Sequence, residues 1–299
     1  MALSSMTSRS PGDSITAADW DVVRNNIVLI TGTAEDSTQE GWGQSWSVFN
    51  PSAGATITDT NTNDIINAAQ DIAVYTGATN AISDVSDGAT IQDTDLNNTQ
   101  TTVTNGYNSR TTAANSYLSQ ESKNTSTRTS SWSTSVTHDL TVTFSDEAHR
   151  NAYFNAGGFI YFTASRSGGS STNQNTDWSN MLSAAGTIKM NFTQTTAASG
   201  TTSSLGMYDL TTSYQTIYEK AGSGAYSTNF YRIQAQAPNS SSIRFLITFG
   251  DSHTGRGYFD SVDGTLSSVA GNFRPNSGTL PNGFDVTVAT PTYATNSDL

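Results

Sequence analysis

Cysteine is absent from the 299-residue chain, which excludes disulfides, thiolate chemistry and Cys-ligated zinc, so stability must come from packing or assembly. Charge is scarce: 13% of residues are charged and 34% apolar, against roughly 25% and 45–50% in average globular chains, the latter figure counting glycine. Lysine occurs only as Lys123, Lys189 and Lys220, and the net charge is -12. Nucleic acid is therefore not expected as a main partner, because phosphate binding needs a basic surface. No run of about 20 apolar residues occurs, and the opening MALSSMTSRSPGDS has no apolar core, so neither a membrane span nor a secretory signal is expected.

Ser, Thr, Asn and Gly are abundant instead, a mixture that favours strands, turns and uncharged polar surfaces. The first third carries a weak internal repeat. Gly12-Asp-Ser-Ile15-Thr-Ala-Ala-Asp19, Gly54-Ala-Thr-Ile57-Thr-Asp-Thr-Asn61 and Gly88-Ala-Thr-Ile91-Gln-Asp-Thr-Asp95 share Gly, any residue, Ser/Thr, Ile, Thr/Gln, then Asp/Asn four residues after the Ile. Each reads as a helix start. In the first copy Thr16 is the N-cap, Asp19 its capping-box partner, and Ile15 and Trp20 the staple. Trp20, Val23, Ile27 and Ile30 then form one stripe ended by Thr31-Gly32. The second copy runs through Ile65, Ile66, Ala69 and Ile72 to Gly77, and the third keeps an Ile91/Leu96 staple.

Beyond the third start, Leu96, Val103, Tyr107, Ala114 and Tyr117 fall on heptad a and d positions, but so do Gln100 and Arg110, and Gly106 weakens the helix. Two outcomes stay open: a coiled-coil seam between copies of the chain, or a helix lying on its own domain. SQESKNTSTRTSSW, 119–132, reads as a polar linker or exposed loop. After it the period becomes two. Val136, Leu140, Val142 and Phe144 alternate with polar residues, as do Ile188, Met190 and Phe192. Ile243, Phe245, Ile247 and Phe249 follow the same rule, as do Phe284, Val286 and Val288, while FIYFTA (159–164) and FYRIQAQ (230–236) are further strands. Short helices are expected from Ser145 as N-cap and over DWSNMLSAAG, 177–186.

Several stretches invite a chemical reading. RFLITFGDSHTG, 244–255, resembles the signature block of GDSL-type esterases, which would make Ser252 a nucleophile. That family takes its histidine base from a block after the serine, and no histidine follows His253; the two glycines of HTGRGYFD stand where a helix should start. A core strand running into a turn is the expectation. Gly250 to Gly257 has phosphate-loop spacing, but Arg256 and Gly257 replace the lysine and the hydroxyl. Asp59-Thr-Asn61-Thr-Asn63 and Asp93-Thr-Asp95-Leu-Asn97 alternate oxygen ligands yet lack the glycine and glutamate of a calcium loop, so helix capping is expected there. Glu35, Glu40, Glu121, Glu147 and Glu219 single out no carboxylate pair, and His138, His149 and His253 have no zinc spacing. No catalytic, cofactor-binding or metal-ligating residue is assigned. Trp42, Trp46, Trp132, Trp178, Tyr226 and Tyr258 are weighed as glycan platforms against the commoner fate of packing.

The stretch SDEAHRNAYFNAGGFIYFTASRSGGSSTNQNTDWSNMLSAAGTIKMNF, 145–192, resembles a segment of virion structural proteins of tailed phages, especially marine and cyanobacterial ones, described as tail-fibre-like or neck-associated. GDSITAADWDVVRNNI is similar to helix starts in the same proteins. The resemblance implies a non-enzymatic virion component of tail, neck or baseplate, assembled in the host cytoplasm and then extracellular. The expected fold is mainly β: a partly helical attachment and oligomerisation region over 1–125, then an antiparallel β-sandwich or jelly-roll-like domain with short helical inserts over 126–299. Expected partners are further copies of the chain, a trimer on grounds of class, and other virion proteins. The alternative is a glycan-binding receptor module; a polysaccharide depolymerase would need a carboxylate pair that only the fold reveals.

Overall fold

The computed structural model describes all residues except Met1, Asp36, Ser37, Ala53 and 255–260. It is mainly β, with two antiparallel six-stranded sheets and, among the described residues, five α-helices. The helices are α1 (Ala17–Thr31), α2 (Asp59–Thr76), α3 (Asp93–Asn108), α4 (Glu147–Asn155) and α5 (Asn173–Ala185). The strands are β1 (Leu118–Arg128), β2 (Ser135–Thr143), β3 (Phe159–Ser167), β4 (Ile188–Met190), β5 (Thr195–Thr196), β6 (Thr201–Thr202), β7 (Gln215–Ala221), β8 (Phe230–Asn239), β9 (Ser242–Gly250), β10 (Thr265–Thr279), β11 (Asp285–Thr287) and β12 (Thr292–Thr295). Two compact units divide the chain. Unit 1 is Met1–Ser119, Glu147–Gly158 and Pro275–Ala289; unit 2 is Gln120–Asp146, Phe159–Arg274 and Thr290–Leu299.

In unit 1, α1, α2 and α3 pack on one another. The stripe Trp20, Val23, Ile27 and Ile30 of α1 is buried, as are Ile65, Ile66, Ala69 and Ile72 of α2. Burial of this face, at about 25 cal/mol per Å2 of apolar surface, is what holds the bundle, in which α2 and α3 are rich in Thr, Asn and Asp. Helix α3 ends at Asn108, and its Leu96 and Val103 are buried with Thr99, Gln100 and Thr102. The apolar stripe of α3 is thus used inside its own bundle, and the heptad does not extend as helix to Ala114. Gly106 lies where α3 comes closest to α2: a Cβ there would meet Ile72 Cγ2 at 2.3 Å. The helix-weakening glycine is the condition for close packing. Gly106→Val should therefore destabilise unit 1 by about 1–3 kcal/mol through overpacking, read by urea denaturation, and an unchanged midpoint would contradict this packing.

Asp71 of α2 is fully buried and accepts from the backbone N–H groups of Asn282 (3.2 Å to each oxygen) and Phe284 (3.4 Å), and from the Asn282 amide (3.1 Å). Burial raises its carboxyl above the ordinary range, against the pull of those donors. It secures the turn of the β10–β11 hairpin, whose register runs Asn276↔Thr287 and Thr279↔Asp285.

Unit 2 contains the main paired lengths of both sheets. One runs β1-β10-β3-β4-β5, with β11 pairing the end of β10 that belongs to unit 1; the other runs β12-β2-β9-β8-β7-β6. Alternation decides which side chains turn inward: Val136, His138, Leu140 and Val142 of β2 are buried, and so are Ile243, Phe245, Ile247 and Phe249 of β9. Phe162 of β3 meets Phe245 of β9 edge to face, with ring centroids 4.9 Å apart, and Trp178 of α5 meets Trp132 at 6.0 Å.

Two sequence expectations are corrected. The stretch 119–132 is not a linker: Leu118–Arg128 is a strand at the edge of its sheet, pairing β10. None of its residues is fully buried and Leu118 is its only apolar one, so no hydrophobic alternation marks it. Helix α5 begins at Asn173, not 177, because Thr172 is its N-cap and accepts from Asn175 N–H at 3.2 Å.

Candidate functional site

The three repeat copies, all in unit 1, become three equivalent turn-and-helix starts. Gly12, Gly54 and Gly88 have φ of 96°, 84° and 72°, the left-handed conformation needed at the third position of a type II turn. The turns are closed by Asp13 N–H to Ser10 O (2.9 Å), Ala55 N–H to Ser52 O (3.1 Å) and Ala89 N–H to Ser86 O (2.9 Å). The preceding serines belong to the repeat as well, a signal the glycine-to-aspartate pattern left out. At each helix start the cap backbone N–H donates to the third-residue side chain: Thr16 to Asp19 (2.8 Å), Thr58 to Asn61 (3.2 Å) and Gln92 to Asp95 (2.7 Å). The fourth helical residues, Trp20, Thr62 and Leu96, are buried beneath.

These turns gather around one recess of about 520 Å3, lined by Gly12, Ile15, Trp20, Ile57, Ile91 and Asp93 among others. Ile15, Ile57 and Ile91 occupy the same repeat position, and each is half-buried. Two shallower recesses adjoin it, one with Asp21 and Pro51, the other with Asp59 and Asp87. No lysine or arginine lines any of the three. Arg9, the nearby cation, is paired with Asp19. Hydrogen bonds from Thr60 and Gly88 N–H hold the Asp59 carboxyl below its ordinary range. The three isoleucines thus share one recess whose lining is otherwise largely polar and carries Asp13 and Asp93.

Neither a family model nor a curated protein nor a solved structure matches this chain.

The residues weighed for chemistry are dispersed. Gly250 ends β9, and Asn229 Oδ1 accepts from the backbone N–H groups of Ser252 (2.9 Å) and His253 (2.8 Å), fastening the turn. The His253 ring packs edge-on against Tyr226, 4.8 Å between centroids. His138 is buried inside unit 2, and His149 bonds the Ala289 carbonyl in unit 1 at 2.8 Å. Arg256, Gly257 and Tyr258 lie outside the described residues. Of the glutamates, Glu40 pairs with Arg110, Glu121 with Lys123, Glu147 with Arg150 and Glu219 with Arg232, while Glu35 is exposed.

The alternating Asp/Asn stretches serve local structure. Asn61 and Asp95 are the capping-box partners of Thr58 and Gln92, Asn63 exchanges two hydrogen bonds with the Val85 backbone, and Asn97 does the same with Arg9. Among the described residues no group of three His, Cys, Asp or Glu gathers as a metal site. Trp42, Trp132 and Trp178 are at most 4% exposed, so none is a sugar platform. Trp46 and Tyr226 remain half-buried; Trp46 stacks on Phe284 at 4.5 Å and donates its indole N–H to Asp285 O at 2.7 Å. No helix among the described residues is long and apolar enough to cross a membrane.

Proposed function

We propose that this chain is a non-enzymatic structural component of a tailed-phage virion, a fibre-like or connector protein of tail, neck or baseplate. The observation that carries the reading is the recess shared by Ile15, Ile57 and Ile91, each held on a copy of one hydrogen-bonded turn. Such a face suits docking, because its apolar side chains are positioned by hydrogen-bonded backbone and therefore lose little freedom when covered. The resemblance of 145–192 and 12–27 to phage structural proteins points the same way. In this reading the helical bundle is the attachment region, and unit 2 is a β-sandwich head in which the Phe162–Phe245 contact joins its two layers. The passages of the chain between the two sheets, as from β1 to β2, β2 to β3 and β9 to β10, are what supports reading that head as jelly-roll-like. Further copies of the chain, as a trimer, and other virion proteins are its partners.

A second reading, glycan recognition, rests on Trp46, a half-exposed indole held by a stacked ring and a backbone hydrogen bond. Substituting Ile15, Ile57 and Ile91 together by serine distinguishes the two. The structural reading expects the isolated variant to keep its circular dichroism while phage particles assemble without it. Normal incorporation of the variant would contradict that reading, and binding of host envelope sugars abolished by Trp46→Ala would favour the second.

A further inference from the structure

In unit 2, Glu121 of β1 contacts both Lys123 of the same strand and Asn272 of β10. Glu121 Oε2 lies 2.9 Å from Lys123 Nζ and 3.1 Å from Asn272 Nδ2, so one carboxylate oxygen holds an amine and a primary amide together. Asn272 is fully buried. Its carbonyl oxygen accepts from the Tyr293 hydroxyl at 3.2 Å. Gly271 permits this closeness, since a Cβ there would meet the Glu121 carbonyl oxygen at 2.3 Å. The four side chains supply a nucleophile, an acyl group, a proton carrier and a donor aimed at the carbonyl oxygen, which are the parts of an acyl transfer.

We propose that Lys123 and Asn272 join in an intramolecular amide cross-link, formed by the folded chain without any added reagent. Glu121 takes a proton from the Lys123 ammonium, and the freed lone pair attacks Cγ of Asn272, making the Nζ–Cγ bond. Negative charge developing on Oδ1 is met by the Tyr293 hydroxyl. Glu121 returns its proton to Nδ2, and the Cγ–Nδ2 bond breaks. The proton left on Nζ passes through Glu121 to the departing ammonia. Ammonium and a secondary amide are the products, Glu121 is regenerated, and nothing is oxidised or reduced. The bond ties β1 to β10, giving a cysteine-free chain the covalent brace that disulfides provide elsewhere.

Intact-mass spectrometry of the purified, denatured full chain decides the matter. The expected mass is one ammonia below the sequence mass, and a tryptic digest should contain a branched peptide in which Lys123 is uncleaved and linked to the peptide carrying Asn272. Lys123→Arg, which keeps the charge beside Glu121, and Glu121→Gln should each restore the full mass while folding as the parent does. A parent chain of full sequence mass would overturn the proposal. So would loss of ammonia without the branched peptide, which would place the loss at an Asn-Gly pair such as Asn105-Gly106 or Asn282-Gly283.

Discussion

Phe245→Ala is expected to lower the stability of unit 2 by about 3–5 kcal/mol, a large fraction of the 5–15 kcal/mol that typically separates folded from unfolded domains. Phe245 is fully buried on β9, opposite Leu140 on one neighbouring strand and Ala235 on the other, and it meets Phe162 of β3 ring to ring. Removing it leaves a cavity bordered by both sheets. Neither can relax into that space without giving up ladder hydrogen bonds. Denaturant titration of the parent and the variant measures the loss. A change under about 1 kcal/mol would mean that the two layers are not joined through this ring.

Acid is expected to weaken unit 2 from about pH 6.5 downwards, beginning above the range where carboxylates titrate. His138 is buried, with Nδ1 2.9 Å from Ser268 Oγ and Nε2 2.6 Å from Asn124 Oδ1. Asn124 Oδ1 can only accept, so Nε2 carries the proton and Nδ1 accepts from the serine hydroxyl. Desolvation lowers its pKa from 6.5 to about 4, only partly opposed by the charge of Asp139. Between those values the unfolded chain binds a proton that the folded chain refuses. Stability from this group is therefore complete above about pH 6.5 and falls as pH drops towards 4, by about 3 kcal/mol in all. Urea midpoints at a series of pH values test this, with His138→Gln as reference. The variant should lose the slope between pH 6.5 and 4; an identical slope in both proteins would refute the assignment.

His138 also explains what could and could not be read in the sequence. The helix starts were legible because capping is local: Thr16 with Asp19 and Thr58 with Asn61 act within one turn of chain. Strands β2 and β9 were legible because apolar residues alternate along them. Strand β10, the longest, escaped, since its inward positions are Leu266, Ser268, Ala270 and Asn272. Ser268 is satisfied by His138, and Asn272 by Glu121 and Tyr293, partners that are distant in sequence. Buried polar residues of this kind are legible only once their partners are known. Strand β1 was missed because Leu118 is its only apolar residue. The candidate docking face was half legible: the repeat stood in the sequence, but the convergence of its three isoleucines depends on how the helices pack.

The proposed virion role is tested most directly by a cryo-electron microscopy map of tailed-phage particles purified from the source of this chain. The account predicts density for the protein on the tail, neck or baseplate, with Ile15, Ile57 and Ile91 covered by a neighbouring subunit. Purified particles without the protein would contradict the virion role, and particles in which the three isoleucines face solvent would contradict the docking face.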